Sequence, residues 1–363
     1  MTSAPQYFWK LFHWSWAVAQ TDCIKDTLRG IDYEHALEPG HIRILKLLPG
    51  KDEEPLACDI FASILSVYEA LSYCWGYEWD QELYYAPDRE RYYGPFQELK
   101  KRGRITRNLG DALRALRPEE APRYLWVDAL CINQSDPDEK ASQVRMMHEI
   151  YKSATEVHVW LGPADDTSRF GITAIQYFTD PAAVTTEAPW YSTNSDLYAS
   201  GLSSLLDRPW FRRIWTVQEA ALARKVTMIC GHDQASWSTD LNSLRRLKFK
   251  IKFAATSPQW EYRPLHTVDL GPLLEVVETQ LREVADVNGL RLENNLLDVV
   301  DQFRHREATD PRDKIYAMFN LAEGRRVQLD RIGDYSESRE EAWERLATAI
   351  HSLDPDTEAQ IGI

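Results

Sequence analysis

The sequence predicts an α/β fold in which helices cover both faces of a parallel sheet. Between residues 67 and 231, short apolar runs typical of buried strands alternate with longer segments of helical period. This alternation is the pattern of successive βαβ units. The chain has 363 residues, of which 44% are hydrophobic and 13 are Trp. It can therefore bury the core of one large domain or of two smaller ones.

Two features are predicted ahead of the parallel sheet. Residues 1–30 are aromatic but interrupted by Lys10 and His13, which favours an amphipathic helical region that packs on the body. The alternative is a helix that lies on a membrane surface or binds a partner. HIRILKLLPG (41–50) and LACDIFAS (56–63) predict two strands around a turn. These strands would form an N-terminal β extension of the sheet.

The α/β unit is expected over residues 31–235, and a mostly helical C-terminal part packed on it over residues 236–363. Apolar runs bounded by Gly or polar residues predict strands at 67–76, 123–134, 156–162 and 225–231. Apolar residues at helical spacing predict helices at 105–118, 135–154 and 208–222. Residues 77–102 are predicted to be a long loop, and residues 163–207 a less regular stretch.

Charge and cysteine usage narrow the class of protein. The formal net charge of -14 disfavours nucleic acid as a partner. The basic run LRRLKFKIKF (244–253) is better explained by an amphipathic segment with a solvated basic face. Five cysteines without a CxxC pair indicate neither a disulfide framework nor a zinc site. No apolar run approaches the roughly 20 residues of a membrane span, so a cytoplasmic protein without a metal site is expected.

Polar residues follow the predicted strands where a parallel sheet binds ligands, beyond the carboxyl ends of its strands. The candidates are Ser72, Tyr73, Trp75, Gly76, Asp128, Asn133 and Gln134. Ser72 and Gly76 belong to a turn that could hold phosphates, and Tyr73 and Trp75 could stack on flat rings. Structural alternatives remain for several of them. Trp75 could pack in the core, Asp128 could anchor its loop, and Asn133 and Gln134 could form turns.

The helix predicted at 208–222, RPWFRRIWTVQEAAL, places Glu219 one turn after Trp215. An ion pair with Arg212, Arg213 or Arg224 is one explanation, and a catalytic carboxylate beside an aromatic wall is the other. Burial would raise the pKa of Glu219, whereas a neighbouring guanidinium would lower it.

The remaining reactive residues give weaker indications of a functional site. Cys74 and Cys131 would need an activating His to act as nucleophiles, and no motif supplies one. In DPRDK, Asp310, Arg312 and Asp313 are expected to form a helix-start cap with an ion pair rather than a second site.

Several motifs in one order resemble the HET domain of fungal heterokaryon-incompatibility proteins. They are YEALSYCWG, LWVDALCINQ with DEKASQVRMMHEIY, VHVWLG, RPWFRRIWTVQEA followed by CG, and DPRDKIYAMFNLA. The resemblance covers roughly residues 32–350. It implies a role in self/non-self recognition and programmed cell death.

HET domains are also remotely similar to TIR domains, which have a flavodoxin-like sheet. Some TIR domains hydrolyse NAD with a Glu in a W-x-x-x-E pattern, and Trp215 and Glu219 have this spacing. The resemblance implies that Glu219 is catalytic, that Arg213 and Trp215 join the substrate-binding residues, and that NAD is a substrate with no cofactor required. The alternative is a non-catalytic signalling module that acts by self-association or through an activating protein partner.

Overall fold

The computed structural model describes residues 33, 36–64, 67–76, 78, 81–85, 102–184, 188–191, 194–256, 264–287, 296–319, 321, 333 and 335–353. The predicted helical region at residues 1–30 lies outside them. The described residues form a mixed sheet of nine strands. In chain order the strands are β1 (His41–Leu47), β2 (Leu56–Ile64), β3 (Glu69–Tyr73), β4 (Gln81–Tyr85), β5 (Arg102–Ile105), β6 (Arg123–Trp126), β7 (Val157–Trp160), β8 (Lys225–Cys230) and β9 (Asp233–Ser238).

Four parallel strands lie in the middle of this sheet, in the order β6-β3-β7-β8. Numbered along the chain, they follow the order 2-1-3-4 of flavodoxin-like sheets. The predicted N-terminal β extension is confirmed, because β1 pairs antiparallel with both β2 and β6. The sheet is not parallel throughout, since β1, β5 and β9 run antiparallel to their neighbours. The α/β class is confirmed, and the likeness to TIR domains stays a prediction.

Helices cover both faces of the sheet, as predicted. They are α1 (Arg107–Leu116), α2 (Asp128–Cys131), α3 (Pro137–Ser153), α4 (Ser168–Thr179), α5 (Ser195–Leu206), α6 (Trp215–Ala221), α7 (Leu241–Thr256), α8 (Gly271–Val287), α9 (Leu296–Phe303), α10 (Pro311–Phe319) and α11 (Arg339–Leu353). On one face, Tyr151 of α3 packs edge-on against Trp126, with ring centroids 5.4 Å apart. On the other face, Trp160 donates a hydrogen bond to Asn108 of α1.

Residues 163–207 differ from the predicted less regular stretch, because they contain α4 and α5 packed closely together. Gly171 and Gly201 permit this approach, since a Cβ at Gly171 would lie 2.5 Å from the carbonyl oxygen of Gly201. Glycine and serine weaken the apolar periodicity of both helices, so the pattern did not show them. The predicted loop at 77–102 is wrong for Gln81–Tyr85, which form β4.

The helix predicted over 208–222 is shorter than expected. Pro209–Phe211 form a single 3-10 turn, and the α-helix begins only at Trp215. Between them the backbone bonds to a distant segment, because Ile214 N donates to Glu307 O and Glu307 N donates to Arg212 O. A segment from the C-terminal part therefore holds the start of α6.

The C-terminal part is helical, as predicted, and shares the core of the sheet. Val276 of α8, Phe303 of α9 and Met318 of α10 are buried in one cluster with residues of the parallel strands such as Val159 and Val226. Thus α6 is enclosed between the sheet and these helices. No helix in the described part of the chain is long and apolar enough to cross a membrane.

Candidate active site

A chain of hydrogen bonds between β3 and α6 forms the centre of the candidate site. Ser72, near the carboxyl end of β3, donates from Oγ to Glu219 Oε2 at 2.5 Å. Trp210 Nε1 donates to Ser72 Oγ at 2.7 Å. Ser72 is fully buried, and Glu219 is 5% exposed. The structure therefore brings Ser72 and Glu219 together, although 147 residues separate them in sequence.

The environment of Glu219 favours its protonated form. Burial, and after it the negative charge of Asp128, raise the pKa of Glu219, which is about 8 in the folded chain. The hydrogen bond from Ser72 and the positive charge of Arg213 act in the opposite direction but do not compensate. At neutral pH the folded chain therefore holds a proton on Glu219.

Arg213 is the cation of the site. Its Nη1 lies 3.5 Å from the carbonyl oxygen of Tyr73, at the end of β3. Burial lowers the pKa of Arg213, but Cys74, Glu219 and Asp128 raise it more, so the net shift is upward. Of the three arginines considered for Glu219, Arg213 acts on it through charge. Arg212 pairs instead with Asp207 at 3.2 Å, and Arg224 donates to the carbonyl oxygen of Lys152.

Asp128 and Trp75 are bonded to each other. Trp75 Nε1 donates to Asp128 Oδ2 at 2.6 Å, and the backbone N–H of Ala129 donates to Asp128 Oδ1 at 2.7 Å. Burial raises the pKa of Asp128 despite these bonds and despite the charge of Arg213. Asp128 thus anchors the start of α2, and it also contributes negative charge beside Glu219. We call Ser72, Asp128, Trp210, Arg213 and Glu219 the Glu219 site.

Tyr73 faces away from Ser72, because successive residues of a strand point to opposite faces of the sheet. It is buried, and its hydroxyl has no hydrogen-bond partner in the described ranges. Burial and the nearby Asp128 raise the pKa of Tyr73 well above its usual value. A narrow depression beside it is lined by Tyr73, Trp75, Ile105, Thr106, Leu109, Ala129 and Leu130. The side chains of Ser72 and Tyr73 therefore lie on opposite faces of the sheet.

The remaining loop residues bond mainly to backbone. Asn133 Oδ1 accepts from Ser135 N at 3.2 Å, and Gln134 Nε2 donates to the carbonyl oxygen of Asp128 at 3.0 Å. These contacts correspond to the turn-forming role that is the predicted alternative for Asn133 and Gln134. Gly76 is exposed and has a φ of 77°, a left-handed conformation that favours glycine. Asn108 was missed by sequence analysis, although its Nδ2 donates to Cys74 O at 2.6 Å and fixes this turn.

Trp215 is oriented toward the C-terminal helices. Its indole hydrogen-bonds to Asp313 of α10, which also accepts from the Tyr335 hydroxyl at 2.7 Å. Burial raises the pKa of Asp313. The predicted cap and ion pair in DPRDK are present, since Asp310 accepts from both the backbone and the guanidinium of Arg312. Asp313 was assigned only to that cap, so its link to α6 was missed.

Gln218, next to Glu219 in α6, is fully buried, and within the described part of the chain neither its side-chain oxygen nor its side-chain nitrogen has a hydrogen-bond partner. Burying an amide without partners costs free energy. Gln218 and Trp210, the donor to Ser72, were not among the predicted site residues. Both lie within the helix motif, but a local pattern does not show which side chains are buried.

A second group of titratable residues lies at the opposite end of the parallel strands. Glu69, Glu156 and His158 offer ligand atoms within 4.8 Å of one another, a spacing that could hold a metal ion. Their carboxylates already have cationic partners, because Lys225 Nζ lies 2.9 Å from Glu156 and Arg123 Nε lies 3.4 Å from Glu69. We call these five residues the basal ion network and assign no metal to it.

The fold and the Glu219 site define an α/β protein in which a buried, protonated Glu side chain lies beside the C-terminal ends of the parallel strands. Residues 68–219 match the family model described as HET: Heterokaryon incompatibility protein (HET). The match begins just before β3 and ends at Glu219, so it includes Ser72, Asp128 and Trp210. Residues 68–219 therefore correspond to a HET domain.

One curated relative extends this match. The chain is 31% identical over 258 residues to "Heterokaryon incompatibility protein 6, OR allele" of Neurospora crassa. The alignment covers 60% of this chain and 37% of the relative. The chain thus spans little more than a third of that relative's length. No solved structure matches the chain significantly.

Proposed function

We propose that this HET-domain protein acts in fungal heterokaryon incompatibility and cell death, and that its Glu219 site hydrolyses NAD at the bond between nicotinamide and ribose. The first part is supported by the family match and by the name of the relative. The second part is supported by the arrangement of Ser72, Asp128, Arg213 and Glu219. It also agrees with the resemblance of Trp215 and Glu219 to the TIR pattern.

The observation that carries the enzymatic proposal is the buried carboxyl of Glu219, whose pKa is raised to about 8. Such strongly shifted groups concentrate at functional sites, where burial and neighbouring charges tune them for chemistry. Glu219 lies beside the carboxyl end of β3, next to β7, where the strand order of the parallel core reverses. In doubly wound sheets this position is where ligands bind.

The proposed reaction needs few protein groups. The C–N bond between ribose and nicotinamide breaks, nicotinamide leaves with the electron pair, and water adds to the ribose carbon with loss of a proton. The sugar acquires positive charge before water adds, so a nearby carboxylate stabilises it. Glu219 supplies that carboxylate, and Arg213 and the backbone turn after Ser72 are suited to the phosphates of NAD.

The structure corresponds to a resting form in this proposal. Glu219 is only 5% exposed, and its carboxyl bonds to Ser72 inside the protein. NAD access therefore requires a movement that exposes the carboxyl. Exposure also removes the desolvation that raises the pKa, so Glu219 ionises as the site opens. Self-association or a protein partner would supply this activation.

The test is nicotinamide release from NAD by the purified chain at high protein concentration, with Glu219→Gln and Glu69→Gln as matched variants. Glu69 belongs to the basal ion network and serves as the control. We expect turnover by the wild type and by Glu69→Gln, and a loss of about 1,000-fold in Glu219→Gln, which keeps the shape but not the charge. Equal turnover in both variants would exclude Glu219 as the catalytic residue.

A second candidate function, a non-catalytic signalling module, is favoured by the closed state of the same residues. Ser72 bonds to both Trp210 and Glu219, an arrangement that a purely structural centre would also have. Expression of the same variants in a fungal host separates the two candidates. Growth arrest that persists in Glu219→Gln, with unchanged cellular NAD, would support the module and contradict the hydrolase.

A further inference from the structure

Helix α7 presents two aromatic rings to solvent that its amphipathic pattern does not explain. Leu244, Leu247, Ile251 and Ala254 are buried on one side of the helix, as the sequence predicts for a segment with a solvated basic face. On the other side, Phe249 is 67% exposed and Phe253 is 54% exposed. The two rings stack, with centroids 6.1 Å apart and planes 22° apart. They form one exposed apolar cluster rather than two isolated residues.

Cations surround this cluster. Arg245, Arg246 and Lys252 are exposed on the same side of α7 as the two rings, and we call these five residues the aromatic-basic face. Lys252 and the neighbouring Lys248 share one carboxylate, that of Glu278 in α8, at 3.1 and 2.9 Å. Among the described residues, Glu278 is thus the one carboxylate that forms ion pairs with these four cations, in a chain whose net charge is -14.

We infer that the aromatic-basic face of α7 docks this protein onto the surface of an anionic phospholipid bilayer. Residues 245 to 253 span about 12 Å along the helix, so the rings and the cations can meet one flat surface together. Aromatic rings bind in the headgroup region, and each Lys or Arg gains from the negative potential of the surface. This inference does not depend on the proposed NAD chemistry.

Two physical arguments favour a bilayer over a protein as the occupant. The stacked rings project outward, so a protein partner would need a pocket shaped to take both, whereas a bilayer interface accepts a convex apolar surface. The negative charge elsewhere on the chain does not prevent docking, because charges farther away than about 8–10 Å are screened at physiological salt. The local excess of cations therefore determines the electrostatic attraction.

Vesicle flotation of the full chain tests the inference. Vesicles of phosphatidylcholine alone are compared with vesicles that also contain phosphatidylserine. Phe249→Ser/Phe253→Ser removes the rings, and Arg245→Glu/Arg246→Glu reverses two charges; all four positions are exposed, so near-UV circular dichroism should be unchanged. The matched control is Ile64→Ser/Val67→Ser, which removes two exposed apolar side chains elsewhere on the surface.

We expect the wild type to partition at least tenfold better onto the phosphatidylserine vesicles, with each of the two α7 variants losing about tenfold or more and the control unchanged. High salt should also weaken binding. Equal binding to both vesicle types, or full binding by the Phe variant, would overturn the inference. Concentration-dependent dimerisation that the α7 variants abolish, without vesicle binding by the wild type, would assign the face to a second copy and likewise overturn it.

Discussion

Glu219 and Glu69 lie at opposite ends of the same parallel strands, and the pKa values of their carboxyl groups shift in opposite directions. Glu219 is enclosed between β3 and α6, where burial and the charge of Asp128 raise its pKa to about 8. Burial also raises the pKa of Glu69, but His158, Arg123 and Lys225 outweigh it, so the net shift is downward.

The two ends of the parallel strands differ in how far cations compensate their carboxyl groups. In the basal ion network each carboxylate has its own cation within 3.4 Å. At the Glu219 site, Arg213 is the cation that acts on both Glu219 and Asp128, and burial dominates the pKa of each carboxyl. Carboxyl groups whose burial is not offset by cations are typical of functional sites. The Glu219 site, at the ligand-binding end of the sheet, is therefore the better candidate for an active site.

The largest expected effect is on the pH dependence of stability. Glu219 binds its proton more tightly in the folded chain, so its contribution to the free energy of unfolding falls as the pH rises from 4.5 to about 8. The slope is up to about 1.4 kcal/mol per pH unit, which totals on the order of 5 kcal/mol. Urea unfolding between pH 5 and pH 8 should show a flatter profile for Glu219→Gln than for the wild type.

Glu69 of the basal ion network serves as a control, because its pKa shift has the opposite direction to that of Glu219. The pKa of Glu69 is lowered in the folded chain, so its stabilisation is present above the unfolded value and is lost as the pH falls through the folded value. Glu69→Gln should therefore leave the slope between pH 5 and pH 8 unchanged and reduce the loss of stability in acid. Identical profiles for both variants would contradict the difference between the two ends.

Removing one hydroxyl group at each end of the parallel strands should lower the free energy of unfolding by unequal amounts. Ser72→Ala leaves the buried N–H of Trp210 without an acceptor and removes the donor to Glu219. We expect it to lower the free energy of unfolding by about 2–4 kcal/mol. Thr227→Val removes a donor to Glu156, which keeps Lys225 as a partner, so a loss of about 1 kcal/mol is expected. Equal losses in chemical denaturation would show that the Ser72 bonds have no special weight.

Gln218→Met tests whether the buried amide beside Glu219 lowers the stability of the folded chain. The buried amide of Gln218 has no hydrogen-bond partner among the residues that the structure describes, and Met has a similar shape without the polar atoms. The variant should gain about 1–2 kcal/mol in the free energy of unfolding. If the amide serves the reaction, nicotinamide release falls in the same variant. A loss of stability on this substitution would mean that the amide has a partner in solution.

The smallest effect is expected at Lys225, whose side chain is about half exposed although it pairs with Glu156. Exposed ion pairs contribute little, so Lys225→Met should change the free energy of unfolding by less than about 1 kcal/mol. The midpoint of acid unfolding should move slightly upward, because Glu69 loses a neighbouring cation that lowers its pKa. A loss comparable to that of Ser72→Ala would show that the basal ion network is as important to folding as the Glu219 site.

Much of the fold could be predicted from local periodicity, but contacts between distant segments could not. The strands from β1 to β8 that have clear apolar runs were identified in order, and so were α1, α3 and the C-terminal helices. β4, β5 and β9 were missed, as were α4 and α5. The pairing of Arg212 with Glu307 shortened α6, and no pattern within residues 208–222 indicates it.

The Glu219 site was predicted only in part, because several of its contacts join segments that are distant in sequence. Ser72, Asp128, Arg213 and Glu219 were chosen because polar residues stood where a parallel sheet binds ligands, and the structure brings them together. The alternation of strand side chains could have shown that Ser72 and Tyr73 point to opposite faces. Trp210 and Asp313 could not be assigned, since their partners Ser72 and Trp215 lie far away in sequence.

The most direct test is the pKa of Glu219 itself. Infrared difference spectra between the wild type and Glu219→Gln, recorded across a pH titration of the folded chain, isolate the signal of this one carboxyl group. A protonated carboxyl band that persists at neutral pH and titrates near pH 8 is the predicted result. An ionised carboxylate at pH 6, with titration near the ordinary value of 4.5, would contradict the claim that the resting site holds a proton on Glu219.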